Sequence, residues 1–212
     1  MSLVNYLSRA AAHPGKRTLP AVMALLCLTG SMNLMADSDR PSADELIQSL
    51  GLEGHVEGGY YRRTYEATDT ARIPTQDGER FSMTSIYYLL TAAGPIGHFH
   101  RNRSDIVHYY HLGDPIEYVL IHPDGKLETV IMGPDPRLGQ QLQMTVAGGT
   151  WKASRLKGAG PQSYGLISEA VSPGFDYRDM TLGVTSKMLE EFPQHQGYIK
   201  ALSRSEIASP KS

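Results

Sequence analysis

Between residues 60 and 185 the chain passes through one extended apolar segment after another, with turn residues and no helical pattern between them. The segments 60–65, 83–91, 105–111, 117–122, 127–132, 142–147, 150–155, 164–170 and 180–185 are rich in Val, Ile, Leu, Thr and Tyr. β-Branched and aromatic side chains suit a pleated, half-buried surface. Pro123-Asp124-Gly125 between two of the segments is a hairpin turn. Short strands repeated in this way close into a sandwich or barrel, because an open sheet leaves long edges unpaired. The expected class is therefore all-β. Short helices are expected only at the ends. Ser42 with Glu45 three residues on forms a capping box, Leu46, Ile47 and Leu50 share one face, and Gly51 stops the helix. A second helix begins at Ser186 and breaks near Pro193.

With 212 residues the chain has enough length for one well-buried domain and for tails. A net charge of −2 gives no electrostatic case for nucleic acid. A single cysteine excludes an internal disulfide and a cysteine-based zinc site. The first forty residues differ from the rest: no acid precedes Asp37, while Arg9, Lys16 and Arg17 are basic. The apolar run 19–29 has the length of a signal-peptide core and is too short for a stable membrane span. Three readings stay open for it: a secretory signal, which makes the protein secreted or periplasmic; a mitochondrial presequence; or a mis-chosen start that leaves it cytoplasmic. The expected organisation is an N-terminal extension over 1–40, a barrel domain over 41–202 and a polar tail over 203–212.

The chemistry is concentrated in one stretch. Five of the eight histidines lie between His98 and His122, and four of those fall between His98 and His111. On an extended strand alternate side chains share a face. Two readings stay open here: His98 and His100 project together and form a transition-metal ligand set with Asp105, or His98 faces solvent and Asp105 caps a turn or pairs with Arg101 or Arg103. Ile106, His108 and Tyr110 share a face on the next strand by the same rule. Arg62 and Arg63 point to opposite faces, so at most one of them enters a pocket, where its planar fork suits a carboxylate or phosphate; the alternative is a surface salt bridge. Glu169, inside the apolar strand 164–170, either faces solvent or serves as a pocket acid. There is no phosphate-binding loop, no Gly-x-Ser-x-Gly elbow and no cysteine nucleophile.

Several motifs in order carry a family resemblance. Glu57-Gly58-Gly59-Tyr60-Tyr61-Arg62-Arg63 and Thr84-Ser85-Ile86-Tyr87-Tyr88-Leu89-Leu90 come first. His100-Arg101-Asn102-Arg103-Ser104-Asp105, Gly113-Asp114-Pro115, Gly148-Gly149-Thr150-Trp151-Lys152 and Val171-Ser172-Pro173-Gly174 follow. From about residue 42 to 193 the chain resembles the cupin-5 group of the cupin superfamily, a group without an agreed activity. The resemblance implies a double-stranded β-helix, or jelly-roll, barrel of the type seen in sugar-nucleotide epimerases. It also implies a small-molecule pocket and a homodimer. His98-Phe99-His100 followed by Asp105 is similar to the first cupin metal motif. The second motif departs from the pattern, since Lys152 stands where a further histidine is expected, and a protonated lysine is a poor ligand.

Three functions remain. The first is a small-molecule-binding barrel for a sugar-like or ring-containing polar ligand, lined by Arg62, Tyr88, Ser104, Asp105 and Lys152. The second is an epimerase or isomerase in which His100 or His108 is the base and Tyr110 or Tyr88 the acid. The third is an oxygenase with a divalent metal on His98, His100 and Asp105. No cofactor is required by the first two.

Overall fold

The computed structural model describes residues 40–158 and 160–205. The apolar run at 19–29 and most of the polar tail lie outside the described residues. Helix α1 (Ala43–Leu50) carries the expected capping box at Ser42 and Glu45 and ends at Gly51, whose φ is 60°. Thirteen strands follow: β1 (Glu53–Gly54), β2 (Tyr60–Glu66), β3 (Ile73–Thr75), β4 (Gly78–Arg80), β5 (Thr84–Thr91), β6 (Ile96–Asn102), β7 (Asp105–Gly113), β8 (Ile116–Ile121), β9 (Leu127–Met132), β10 (Gln143–Val146), β11 (Trp151–Leu156), β12 (Tyr164–Ser172) and β13 (Met180–Leu182). Helices α2 (Thr185–Glu191) and α3 (Gln196–Leu202) close the described chain. Among the described residues no helix is long and apolar enough to cross a membrane.

The strands form two antiparallel sheets, ordered β1-β2-β5-β12-β7-β10 and β13-β6-β11-β8-β9, with β3 and β4 as a separate hairpin. This is a jelly-roll barrel. Alternation divides each strand between its two faces. Tyr88, Leu90, Ile116, Tyr118, Leu120, Met132 and Ile167 face inward and fill part of the interior. On the outer side of the six-stranded sheet, Leu89, Tyr164 and Leu166 pack under Leu46 of α1. On the outer side of the five-stranded sheet, Phe99, Val119, Ile121 and Trp151 pack under Met188, Ile199 and Leu202 of α2 and α3. Each such fully buried side chain contributes about 1.5–3 kcal/mol.

Helix α3 was not expected from the sequence. It starts beyond Pro193 with Gly197 in its first turn, and it exists because Ile199 and Leu202 cover the sheet. One further irregularity matters for the site. The pairing of β6 with β11 slips between Lys152 and Ser154, which are set against His100 and Gly97, so β6 carries a bulge at His98 and Phe99. A bulge resets the alternation of the strand that carries it.

Candidate functional site

The part of the interior not filled by apolar side chains is lined by ionisable ones. Glu169 of β12 lies opposite His108 of β7, while Lys152 reaches across from β11 in the facing sheet. The Lys152 Nζ lies 2.8 Å from His108 Nε2 and 3.0 Å from Glu169 Oε1. His108 Nε2 and Glu169 Oε1 are 3.1 Å apart. His108 is fully buried and Lys152 is 2 % exposed, so these contacts form away from water. Burial, reinforced by Lys152, holds the His108 ring below its ordinary pKa. The ring is therefore neutral: Nε2 accepts from the ammonium, and Nδ1 carries the hydrogen. Burial is the largest single influence and works to raise the Glu169 carboxyl, but its contacts with Lys152 and His108 together outweigh it and hold Glu169 well below the usual range.

A second pair comes from the loop 55–59 between β1 and β2. Gly58 and Gly59 have φ of 103° and 68°, and a Cβ on Gly58 would lie 2.2 Å from the Ile96 carbonyl oxygen. Only glycine lets the chain pass so close to β6 in this conformation. The loop is then pinned: His98 N–H donates to the Glu57 carbonyl at 2.6 Å, and the Tyr88 hydroxyl donates to the Gly58 carbonyl at 2.9 Å. Glu57 Oε2 comes to 3.2 Å from His100 Nε2 and 3.5 Å from His55 Nδ1. His100 Nδ1 donates to the His98 carbonyl at 2.8 Å, which leaves Nε2 without a hydrogen, close to the carboxyl but not hydrogen-bonded to it. Burial pushes Glu57 up to about 8 and holds His100 well below its ordinary value. At neutral pH a protonated acid thus faces a neutral imidazole. Burial also lowers His55 to about 4, and its Nδ1 accepts from the Glu57 backbone N–H at 3.3 Å.

Glu57 and Glu169 line the same narrow cavity of about 20 Å³, together with His55, Tyr61, Arg63 and Asn102. Arg63 and Phe175 also line a second cavity of about 280 Å³ with Arg72 and Phe81. The Arg63 guanidinium lies 5.7 Å over the Phe175 ring and bonds Glu66 at 2.7 Å.

Of the residues singled out in the sequence, His100, His108, Tyr88 and Lys152 belong to this polar region, with Tyr88 bracing the loop rather than offering a free hydroxyl. The others lie elsewhere. Tyr110 faces inward as expected but packs against the apolar cluster, and its hydroxyl donates to the Gly113 carbonyl at 2.5 Å. Arg62 is exposed on the outer face, and Arg63 is the inward one. Ser104 sits between β6 and β7, and the exposed Asp105 accepts the Gly148 N–H at 2.8 Å, which makes it a turn brace. His98 is turned away by the bulge, and its Nδ1 contacts the Leu202 carbonyl at 3.2 Å. His98, His100 and Asp105 therefore do not converge. Among the described residues no group of three His, Cys, Asp or Glu side chains is arranged to hold a metal. Glu57, His55 and Asn102 were missed; the adjacent pair Gly58-Gly59 was the available signal for a backbone crossing beside Glu57.

Residues 44–183 match the family described as Cupin_5, Cupin superfamily (DUF985). An uncharacterized protein of Saccharomyces cerevisiae is 39% identical over 150 residues, covering 66% of this chain and 74% of the relative. A hypothetical protein from Leishmania major superposes with a TM-score of 0.72 at 33% identity, over 78% of this chain and 100% of that one. A protein from Shewanella oneidensis superposes with a TM-score of 0.71 at 35% identity, over 79% and 100% of the two chains.

Proposed function

The chain belongs to the Cupin_5 family of the cupin superfamily, and on that premise we propose that its barrel binds a small polar molecule and moves a proton on it, as an isomerase or epimerase does. One observation carries the reading. Glu57 and Glu169 line one cavity and are pushed in opposite directions, Glu57 to about 8 and Glu169 well below the usual range. Carboxyls whose surroundings drive them apart divide the roles of acid and fixed charge. Glu57 titrates near neutrality and is the proton carrier, with the His100 lone pair as its exchange partner. Glu169 is too weak a base for that task and serves as the counter-charge that fixes Lys152. The acid role assigned to Tyr110 in the sequence passes to Glu57, because the Tyr110 hydroxyl is committed to Gly113. Burying so many ionisable groups is costly, and a core built for stability alone has little use for them.

Deuterium exchange tests the reading. The full chain is incubated in D2O with small aldoses, ketoses and 2-oxo or 2-hydroxy carboxylates, and loss of the proton next to the carbonyl is followed by NMR. Exchange is expected with at least one compound, and Glu57→Gln should slow it by about 10²-fold or more. A barrel that binds without turnover is the second reading. It is favoured by the two bonds that tie Lys152 to His108 and Glu169 and leave that half of the site without a mobile proton. Compounds that bind by saturation-transfer NMR but never exchange would establish it in place of the first.

Arg63, which lines this cavity and the adjoining one, is the anchor for a negative substituent. Hydrogen bonds to charged groups are worth about 1.5–3 kcal/mol, so Arg63→Ala should weaken a carboxylated ligand roughly ten- to hundredfold. Arg62→Ala, on the outer face, should change affinity less than about twofold, a contrast that titration of both variants measures directly.

A further inference from the structure

We propose that the Lys152 ammonium occupies a cation seat in the barrel, and that removing it converts this seat into a site for a divalent transition metal. The proposal does not rest on proton transfer, and metal binding and deuterium exchange are read separately.

A cation seat is defined by the lone pairs that converge on it. His108 Nε2 and Glu169 Oε1 come from neighbouring strands, lie 3.1 Å apart and both face one point of the interior. Neutral imidazole and carboxylate are ordinary ligands for zinc, cobalt or manganese. That point is held by Lys152 Nζ at 2.8 and 3.0 Å, which are hydrogen-bond lengths. The lysine stem enters from the opposite sheet and its side chain is 3 % exposed, so the ammonium has no route to solvent while the barrel is closed. A metal at the same point would meet a like charge at contact distance. The residues as they stand do not fit a metal, although the family resemblance raised one. The obstacle is a single group. His100 lies directly across from Lys152 in the β11–β6 register, and residues so placed have Cβ atoms about 5 Å apart. With the ammonium gone, His100 is the nearest candidate to join His108 and Glu169 as a third ligand.

Cobalt(II) is the probe, because its visible bands report imidazole and carboxylate ligation. The wild-type full chain should show no interior cobalt: titration leaves the NMR signals of the His108 ring unbroadened. Lys152→Ala and Lys152→His should each bind one cobalt at least 100-fold more tightly than the wild type. That binding should be lost when His108→Ala is added. Cobalt should also raise the melting temperature of the Lys152 variants and leave the wild type unchanged, since a ligand held only by the folded state stabilises it. Paramagnetic broadening of His108 in the wild type overturns the proposal, whether or not the variants fold. Folded Lys152 variants that bind no more cobalt than the wild type overturn it equally.

Discussion

Replacing Glu169 by Leu should destabilise the barrel by about 3–5 kcal/mol, the usual cost of removing one partner from a buried ion pair. The side chains of Lys152 and Glu169 are 3 % and 12 % exposed, so the remaining ammonium cannot be rehydrated without opening the barrel. His108 Nε2 still accepts one of its hydrogens, but a neutral ring does not cancel the charge. For a domain of this size the loss amounts to roughly 10 °C in melting temperature. The double variant Lys152→Met, Glu169→Leu should recover most of that loss. Met and Leu fill similar volume without a desolvation cost, and such replacements of whole buried pairs are often neutral. Urea denaturation of the two single variants and the double variant gives the coupling directly. A Glu169→Leu variant within about 1 kcal/mol of wild type would show that the pair is hydrated, and the cation seat would lose its basis. A double variant as unstable as the worse single would mean that packing, not charge, dominates here.

The division between what could and could not be read from the chain follows from range. Alternation is local, and it assigned the inward face of β7 correctly for Ile106, His108 and Tyr110. Alternation gives a face but not a depth along the barrel, so Tyr110 was grouped with the histidines although it sits among apolar side chains. The choice between Arg62 and Arg63 failed for a related reason. Tyr60 and Tyr61 flank them on both faces, and nothing local says which tyrosine meets the core. The metal reading of His98 fails because a bulge is a property of two strands, visible only when β6 is set against β11. Glu57 was hidden more deeply. It lies in a loop, and its role depends on Gly58 crossing β6 some forty residues along the chain. Lys152 was read as the loss of a metal ligand, yet the same substitution puts the interior's cation in place. Capping and turn signals, by contrast, are complete within a few residues, and Ser42 with Glu45 behaved as expected.

Conformational stability should pass through a maximum near about pH 7, with a steep acid limb and a shallower alkaline one. Burial lowers His55 from 6.5 to about 4, and His100 and His108 are lowered as well. In that interval the folded chain binds fewer protons than the unfolded one, so stability rises with pH and is gained in full above the ordinary histidine pKa. Glu57 acts in the opposite sense. Its pKa is raised from 4.5 to about 8, so the folded chain holds a proton that the unfolded chain has lost, and stability falls as pH climbs through that window. Glu169 is held low, so its contribution is present above the usual carboxylate range and is lost only on strong acidification. Each group contributes at most about 1.4 kcal/mol per pH unit. Below about pH 6.5 the three histidines outweigh the one glutamate; above about pH 7 the unfolded histidines are neutral too, and Glu57 alone remains. Glu57→Gln should keep the acid limb and abolish the alkaline one, because a glutamine is neutral at every pH. Urea midpoints measured from about pH 5 to 9 on both proteins provide the comparison. If the two curves ran parallel above about pH 7, Glu57 would be ionised inside the folded barrel, and its assignment as proton carrier would fall with the alkaline limb.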